Sequence, residues 1–70
     1  MENINLTLKA ARANKGYTQK KAGNLLGVSE SVISNWERGI SFPDALQIKK
    51  IEKVYEVPYD RLIFLKNKSN

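Results

Sequence analysis

The sequence predicts an all-α fold, a compact domain of five short helices, from the spacing of its apolar residues and the residues at its helix ends. Apolar residues recur three and four positions apart, as they do on one face of a helix. Thr, Ser or Asp precedes most of these segments, and Gly or Pro follows them. The 70 residues suffice for one domain with one small core. We expect that core to span residues 6–65, with a frayed tail at residues 66–70.

Glycines end the first two predicted helices. The first should run from Leu6 to Asn14, just before Gly16. The second should follow Thr18, whose hydroxyl can accept a hydrogen bond from a free N–H group of the first turn. It should end at Gly27, because glycine adopts positive φ without steric cost. The residues expected on the inward faces of these helices are Leu8, Ala11, Ala22, Leu25 and Leu26.

The third helix is predicted from Glu30 to Arg38, between a Ser29 cap and Gly39, with Ile33 and Trp36 facing inward. Its outer face then carries Glu30, Ser31, Ser34, Asn35 and Arg38. Two short helices joined by a tight glycine turn are the layout of a DNA-binding helix-turn-helix. Short hydrogen-bonding side chains suit the reading of base edges. A polar helix face that is only solvated would have the same composition.

Two prolines delimit the last two predicted helices. Asp44 follows Pro43 and can cap a fourth helix that ends near Glu56. Its buried stripe should be Ala45, Ile48, Ile51 and Tyr55. Pro58 breaks this helix. A short fifth helix should then contain Tyr59, Leu62 and Ile63.

Composition excludes several classes of function. The chain has no cysteine and no histidine, so we expect no disulfide, no metal site of the Cys/His type and no cofactor. It also lacks a Gly-rich phosphate loop, and we expect no enzymatic activity. No apolar run approaches a membrane span, and the N-terminus is no signal peptide, so we expect a cytoplasmic protein. The formal net charge of +5 favours a polyanionic partner.

Six segments of the chain carry a family resemblance. They are Lys9-Ala10-Ala11-Arg12, Tyr17-Thr18-Gln19, Leu26-Gly27-Val28-Ser29, Ile33 through Gly39, Phe42-Pro43 and Ile51 through Val57. In combination they resemble the phage repressor and Cro type of helix-turn-helix domain, also called the xenobiotic-response-element family. The resemblance implies a lambda-repressor-like fold and a transcriptional regulator that reads a double-stranded DNA operator. The reading helix would be residues 30–38.

The resemblance also implies roles for single residues. Gln19, at the start of the second helix, matches a glutamine whose side chain and N–H group hold a phosphate. The other implied phosphate contacts are Arg38 and the backbone of Ile40, Ser41 and Phe42. The implied base-reading residues are Glu30, Ser31 and Asn35, with Ser34 beside them. Asn35 could pair bidentately with adenine. Arg12 and Glu37 match an ion pair between the first and third helices, whereas Lys9 and Lys15 should be solvated.

The sequence departs from the family pattern at three places. Ala22-Gly23 stands where a larger residue followed by alanine is usual, and a glycine inside a helix costs about 1 kcal/mol relative to alanine but permits closer approach. Glu52 replaces a small apolar residue, so the fourth helix should be tilted or form a salt bridge there. Glu30 replaces a neutral or basic reader. It either accepts a hydrogen bond from cytosine N4 or only stabilises the helix dipole.

The C-terminal segment is richer in apolar residues than a short helix needs. We expect a homodimer through Tyr59, Leu62, Phe64 and Leu65, because a symmetric operator needs two copies. In the alternative, these residues fold back onto the first helix and the chain is monomeric. A second function also stays open, since an antitoxin-type or other protein-interaction module can have the same fold.

Overall fold

A computed structural model describes residues 5–65 of the chain, most of them in four helices. The helices are α1 (Leu8–Asn14), α2 (Gln19–Leu26), α3 (Glu30–Arg38) and α4 (Ala45–Tyr55). A 3₁₀ turn at Tyr59–Arg61 follows, and two strands, β1 (Leu6–Thr7) and β2 (Leu62–Ile63), pair in parallel. The tail predicted at residues 66–70 lies outside the described residues. In the described part, no helix has the length and apolar character to cross a membrane.

The prediction of five helices is wrong at both ends of the chain. Leu6 and Thr7 form β1, so the first helix begins at Leu8 and not at Leu6. Thr7 caps it, since its Oγ1 accepts a hydrogen bond from Ala10 N at 3.1 Å. The segment predicted as a fifth helix is the 3₁₀ turn followed by β2, in which Leu6 pairs with Leu62. This pairing gives the backbones of β1 and β2 partners that a short isolated helix would lack.

Side-chain caps begin all four helices. The predicted caps Thr18, Ser29 and Asp44 are confirmed, because each accepts a hydrogen bond from the N–H group three residues later. Asp44 also forms a capping box with Gln47. These bonds satisfy N–H groups that have no carbonyl partner within their helix. The sequence therefore sets where each helix starts.

The C-terminal end of α4 differs from the glycine ends of the earlier helices. Glu56 follows α4 with a φ of 58°. Its Oε2 accepts a hydrogen bond from Lys15 Nζ at 2.7 Å, which lowers the pKa of the Glu56 carboxyl. The expectation that Lys15 is only solvated is therefore wrong. The ion pair joins the ends of α1 and α4 at the surface.

The helices and β2 share one hydrophobic core. Its buried members are Leu8, Ala11, Ala22, Leu26, Ile33, Trp36, Ile51, Tyr55 and Leu62. The inward positions predicted for Ile33 and Trp36 are confirmed. Leu25 is 43% exposed, so its predicted inward position is wrong. Successive residues of a helix point about 100° apart, and it is Leu26 that occupies the core position. On α4 the buried stripe narrows to Ile51 and Tyr55, because Ile48 is half-buried and Ala45 is exposed.

The buried phenol of Tyr55 should make the free energy of unfolding decrease at alkaline pH. Burial, with a smaller contribution from the nearby Glu37 carboxylate and an opposing one from Arg12, raises the pKa of this phenol to about 12. An unfolded tyrosine titrates near pH ~10, so the folded state holds this proton more tightly. This contribution to the free energy of unfolding is fully present below pH ~10 and is lost as the pH rises towards about 12. Urea denaturation at a series of alkaline pH values should show a smaller loss in Tyr55→Phe than in the unchanged chain. Equal losses would contradict this role.

Candidate nucleic-acid interface

Two glycines set the geometry between α2 and α3. Gly27 adopts a φ of 75° in the turn, and the next N–H group, that of Val28, donates to the Gly23 carbonyl at 2.9 Å. Gly23 is buried, and a Cβ atom there would lie only 2.6 Å from the Val28 carbonyl oxygen. Gly27 thus reverses the chain, and Gly23 lets the turn pass close to α2. The close approach predicted for Gly23 is made by the turn backbone.

The faces of α3 differ sharply in polarity. Ile33, Trp36 and Glu37 are buried, with 1%, 5% and 8% of their surface exposed. The predicted base-reading residues Ser31, Ser34 and Asn35 lie on the other side of α3, where Ser31 is exposed and Ser34 and Asn35 are half-buried, and Glu30 is exposed in the first turn. Arg38 extends this face by one turn and is exposed. The outer face of α3 therefore presents hydrogen-bonding groups without an apolar side chain among them.

A charged network behind α3 fixes its orientation. Arg12 Nε donates to Glu37 Oε2 at 2.6 Å, and Arg12 Nη2 donates to Glu37 Oε1 at 3.2 Å. The two side chains are only 12% and 4% exposed. Arg12 Nη1 also donates to the Tyr17 carbonyl at 2.8 Å. The hydrogen bond to Glu37 raises the pKa of Arg12 despite the opposing effect of burial. Through this pair, α1 holds the segment before α2 and the C-terminal half of α3 together.

Gln19 belongs to the same network. Its Nε2 donates to Glu37 Oε1 at 3.0 Å, so the side chain predicted to hold a phosphate also contacts the buried carboxylate. The backbone N–H groups of Gln19 and Lys20 precede the first intrahelical hydrogen bond of α2 and have no helical carbonyl to donate to. Lys20 and Lys21 are exposed on this turn. Sequence reasoning gave these lysines no role, although their place directly after the Thr18 cap was a usable signal.

The loop after α3 is partly occupied by its own hydrogen bonds. The N–H groups of Ile40 and Ser41 donate to the Asn35 carbonyl, at 2.9 and 3.5 Å. Two of the three amides predicted to approach a phosphate therefore already have an acceptor within the chain. The third of these amides belongs to Phe42, a residue that is 52% exposed. The same bonds tie the loop to the last turn of α3.

Arg38 and Asn35 contact each other on the outer face of α3. Arg38 Nη2 donates to Asn35 Oδ1 at 3.0 Å. The two residues are three positions apart, a spacing that places side chains side by side on a helix. Arg38, which is predicted to contact phosphate, thus forms a hydrogen bond with Asn35, which is predicted to contact a base.

The predicted dimer residues do not lie on one surface. Leu62 is 9% exposed and belongs to the core, so its predicted role as a dimer contact is wrong. Tyr59 and Leu65 are 54% and 45% exposed, while Phe64 is half-buried with its ring centroid 5.9 Å from that of Tyr59. Ile63, which sequence reasoning did not select, is 39% exposed. The alternation of side chains along a strand places Leu62 inward and Ile63 outward.

Glu52 has a role that its position in α4 did not suggest. Its Oε2 accepts a hydrogen bond from Tyr59 N at 2.7 Å. This bond caps the 3₁₀ turn, for which Pro58 offers no side-chain cap. The acidic residue therefore positions Tyr59 beside β2.

Comparison with known proteins identifies the family. Residues 8–62 match the helix-turn-helix family of the Cro and repressor type. The chain belongs to this family. The matched range covers all four helices of the described structure and the turn that joins α2 to α3.

Three curated relatives are similar to this helix-turn-helix chain. The transcriptional regulator ImmR of Bacillus subtilis is 39% identical over 56 residues, which are 80% of this chain and 44% of that protein. The transcriptional activator BcrR of Enterococcus faecalis is 36% identical over 60 residues, 86% of this chain and 29% of that protein. The uncharacterized regulator YazB of Bacillus subtilis is 36% identical over 55 residues, 79% of this chain and 80% of that protein. The chain thus spans less than half the length of the first two. The family and these names support a DNA-binding transcriptional regulator.

Proposed function

We propose that the chain binds duplex DNA sequence-specifically, with α3 in the major groove, and thereby regulates transcription. The observation that carries this proposal is the division of α3 into two faces. Ile33 and Trp36 are buried on one face, and the five polar side chains of the other face stay accessible. A helix of this kind fits the major groove and presents donors and acceptors to base edges. Membership of the helix-turn-helix family supports the same mode of binding.

Phosphate contacts would come from both sides of α3. The free N–H groups of Gln19 and Lys20 lie at the positive end of the α2 dipole, which favours an anion. Lys21 adds an exposed cation to the same turn, and Arg38 adds another at the far end of α3. Phe42 would supply the remaining backbone amide of the loop. The Glu37 contact keeps the Gln19 side chain at the start of α2, beside these amides.

Base contacts would come from Glu30, Ser31, Ser34 and Asn35. Asn35 is half-buried on the outer face of α3, and its backbone carbonyl accepts hydrogen bonds from the N–H groups of Ile40 and Ser41. Glu30 is in the first turn of α3 and exposed. Its carboxylate can accept a hydrogen bond from cytosine N4, and it also interacts favourably with the helix dipole. These side chains would carry the sequence preference, while the phosphate contacts carry affinity for any duplex.

A second copy of the chain would complete the binding unit. Tyr59, Ile63 and Leu65 expose apolar surface near the 3₁₀ turn and β2. Pairing two copies through this surface would shield it from water. A two-fold dimer then places two α3 helices in successive major grooves, about 10 base pairs apart. The operator would accordingly contain two related half-sites.

Alanine at position 35 tests the proposal on the preferred duplex. Asn35→Ala removes a base contact, so we expect affinity for that duplex to fall about tenfold while affinity for random duplex changes little. Asn24→Ala is the matched control, because Asn24 is an exposed asparagine on α2, outside the outer face of α3. Fluorescence anisotropy titrations of both variants on both duplexes measure the effect. Equal losses on the two duplexes, or equal behaviour of the two variants, would contradict the assignment of Asn35 as a base-reading residue.

A further inference from the structure

We infer that Asn35 reads a hydrogen-bond acceptor on the DNA, with guanine preferred, because Arg38 already binds its carbonyl oxygen. The inference rests on the proposed function and names the specificity of one residue within it. It replaces the adenine pairing that the sequence suggests for Asn35. It also makes Arg38 a positioning residue for Asn35 in addition to a phosphate contact.

The chemistry of the two side chains fixes which way the amide faces. Arg38 Nη2 lies 3.0 Å from Asn35 Oδ1. A guanidinium group has five N–H donors and no acceptor, so only the oxygen of Asn35 can face it. The Nδ2 group of Asn35 then faces away from Arg38. Oδ1 keeps one lone pair beside the guanidinium, and the Nδ2 donor is the group of this side chain that faces away from Arg38.

The four bases present different hydrogen-bonding groups to such a donor in the major groove. Guanine presents two adjacent acceptors, N7 and O6, and thymine presents O4. Adenine places its N6 donor beside N7, and cytosine presents only a donor. A bidentate pair with adenine needs both the oxygen and the nitrogen of the Asn35 amide. In that pair Oδ1 would have to accept from adenine N6 as well as from Arg38, which brings two donor groups together at one oxygen, whereas guanine needs only the Nδ2 group.

Arg38 can hold Asn35 and a phosphate at the same time. One N–H group of its guanidinium is used on Asn35 Oδ1, and four remain. The side chain is exposed beyond Asn35, at the end of α3. Asn35 itself is half-buried, and its carbonyl accepts from Ile40 N at 2.9 Å. Binding a phosphate through the remaining donors would hold the guanidinium in place against Asn35.

Selection of duplexes from a random pool tests this inference with Arg38→Met, which keeps a long side chain and removes every donor. The base pair read by Asn35 is the one at which Asn35→Ala loses preference. We expect guanine there for the unchanged chain. For Arg38→Met we expect weaker binding to all duplexes and a shift of about tenfold towards adenine at that pair alone. Lys21→Met is the matched control, since it removes another exposed cation and should weaken binding without changing any base preference.

The outcomes separate this inference from the proposed function. Adenine at the Asn35 pair in the unchanged chain would overturn the inference and leave the proposed function standing. An Arg38→Met chain that binds all duplexes more weakly but keeps the same base preference at the Asn35 pair would also overturn the inference and leave the proposed function standing. Arg38 would then contact only phosphate. An unchanged chain that enriches no sequence would overturn the proposed function itself. Thermal melting of each variant identifies any that are unfolded. In NMR spectra of the DNA-free chain, the side-chain amide resonance of Asn35 should shift in Arg38→Met and not in Lys21→Met. A resonance that stays in place in Arg38→Met would also overturn the inference.

Discussion

Replacing Arg12 by alanine should lower the free energy of unfolding by about 3 kcal/mol, since breaking a buried ion pair from one side leaves the other charge without compensation. Glu37 is 8% exposed and would keep Gln19 as its described hydrogen-bond donor. The Tyr17 carbonyl would also lose the donor that joins it to α1. Urea denaturation followed by Trp36 fluorescence measures the loss. Trp36, the residue before Glu37, is buried in the folded chain and becomes exposed when the chain unfolds.

Two comparisons show whether the ion pair causes this loss. Lys9→Ala removes an exposed cation from the same helix and should change stability little. The double change of Arg12→Met with Glu37→Leu removes both charges, so it should recover much of the stability lost in Arg12→Ala. Equal effects of Arg12→Ala and Lys9→Ala would mean that the pair contributes nothing beyond a surface contact.

Gly23→Ala should destabilise the chain by about 2 kcal/mol, although alanine is the better helix former. The new Cβ would lie 2.6 Å from the Val28 carbonyl oxygen and 3.3 Å from the Ser29 carbonyl carbon. Both atoms belong to the backbone of the turn, which cannot rotate away as a flexible side chain can. The clash therefore outweighs the gain of about 1 kcal/mol in helix propensity. It would also displace α3 relative to α2, so affinity for DNA should fall with stability.

The neighbouring position supplies the control for Gly23. Asn24 is exposed on α2, and Asn24→Ala should be neutral or slightly stabilising because only propensity changes. Thermal melting of both variants compares the two effects directly. An increase in melting temperature for Gly23→Ala would show that the turn relaxes without cost and that the close approach is not required.

Local sequence predicts the central helices well because their signals are local. Thr18 and Ser29 cap the helices that follow them, and each of these bonds spans three residues. Trp36 is buried, as its spacing from Ile33 indicates. The inward position of Leu25 is the error in this region, because adjacent leucines satisfy the same helical pattern and only packing separates them.

The chain ends were harder to predict because their partners are distant. Leu6 pairs with Leu62 from the opposite end of the sequence, and a short apolar run does not distinguish a strand from a helix by its spacing. Glu52 accepts from Tyr59 across the break at Pro58, beyond the reach of helical spacing. The prediction of Leu62 as a dimer contact failed for the same reason, since β2 turns it into the core.

For the candidate interface, sequence predicts which residues share a face but not how their side chains bond. Residues 30–38 divide into inner and outer faces by helical period alone. The bond from Arg38 to Asn35 and the bond from Gln19 to Glu37 depend on rotamers and, in the second case, on the packing of two helices. These two bonds decide which donors remain for DNA. The sequence therefore predicts the location of the interface more completely than its specificity.

Selection of duplex DNA from a random pool by the unchanged chain is the most direct test of sequence-specific binding. The expected result is a single preferred sequence, made of two related half-sites about 10 base pairs apart, whose advantage over random duplex persists as salt weakens both. A recovered pool with the composition of the starting pool, in spite of measurable salt-dependent binding, would contradict the account. In that case the positive charge would bind phosphate while the outer face of α3 read no bases.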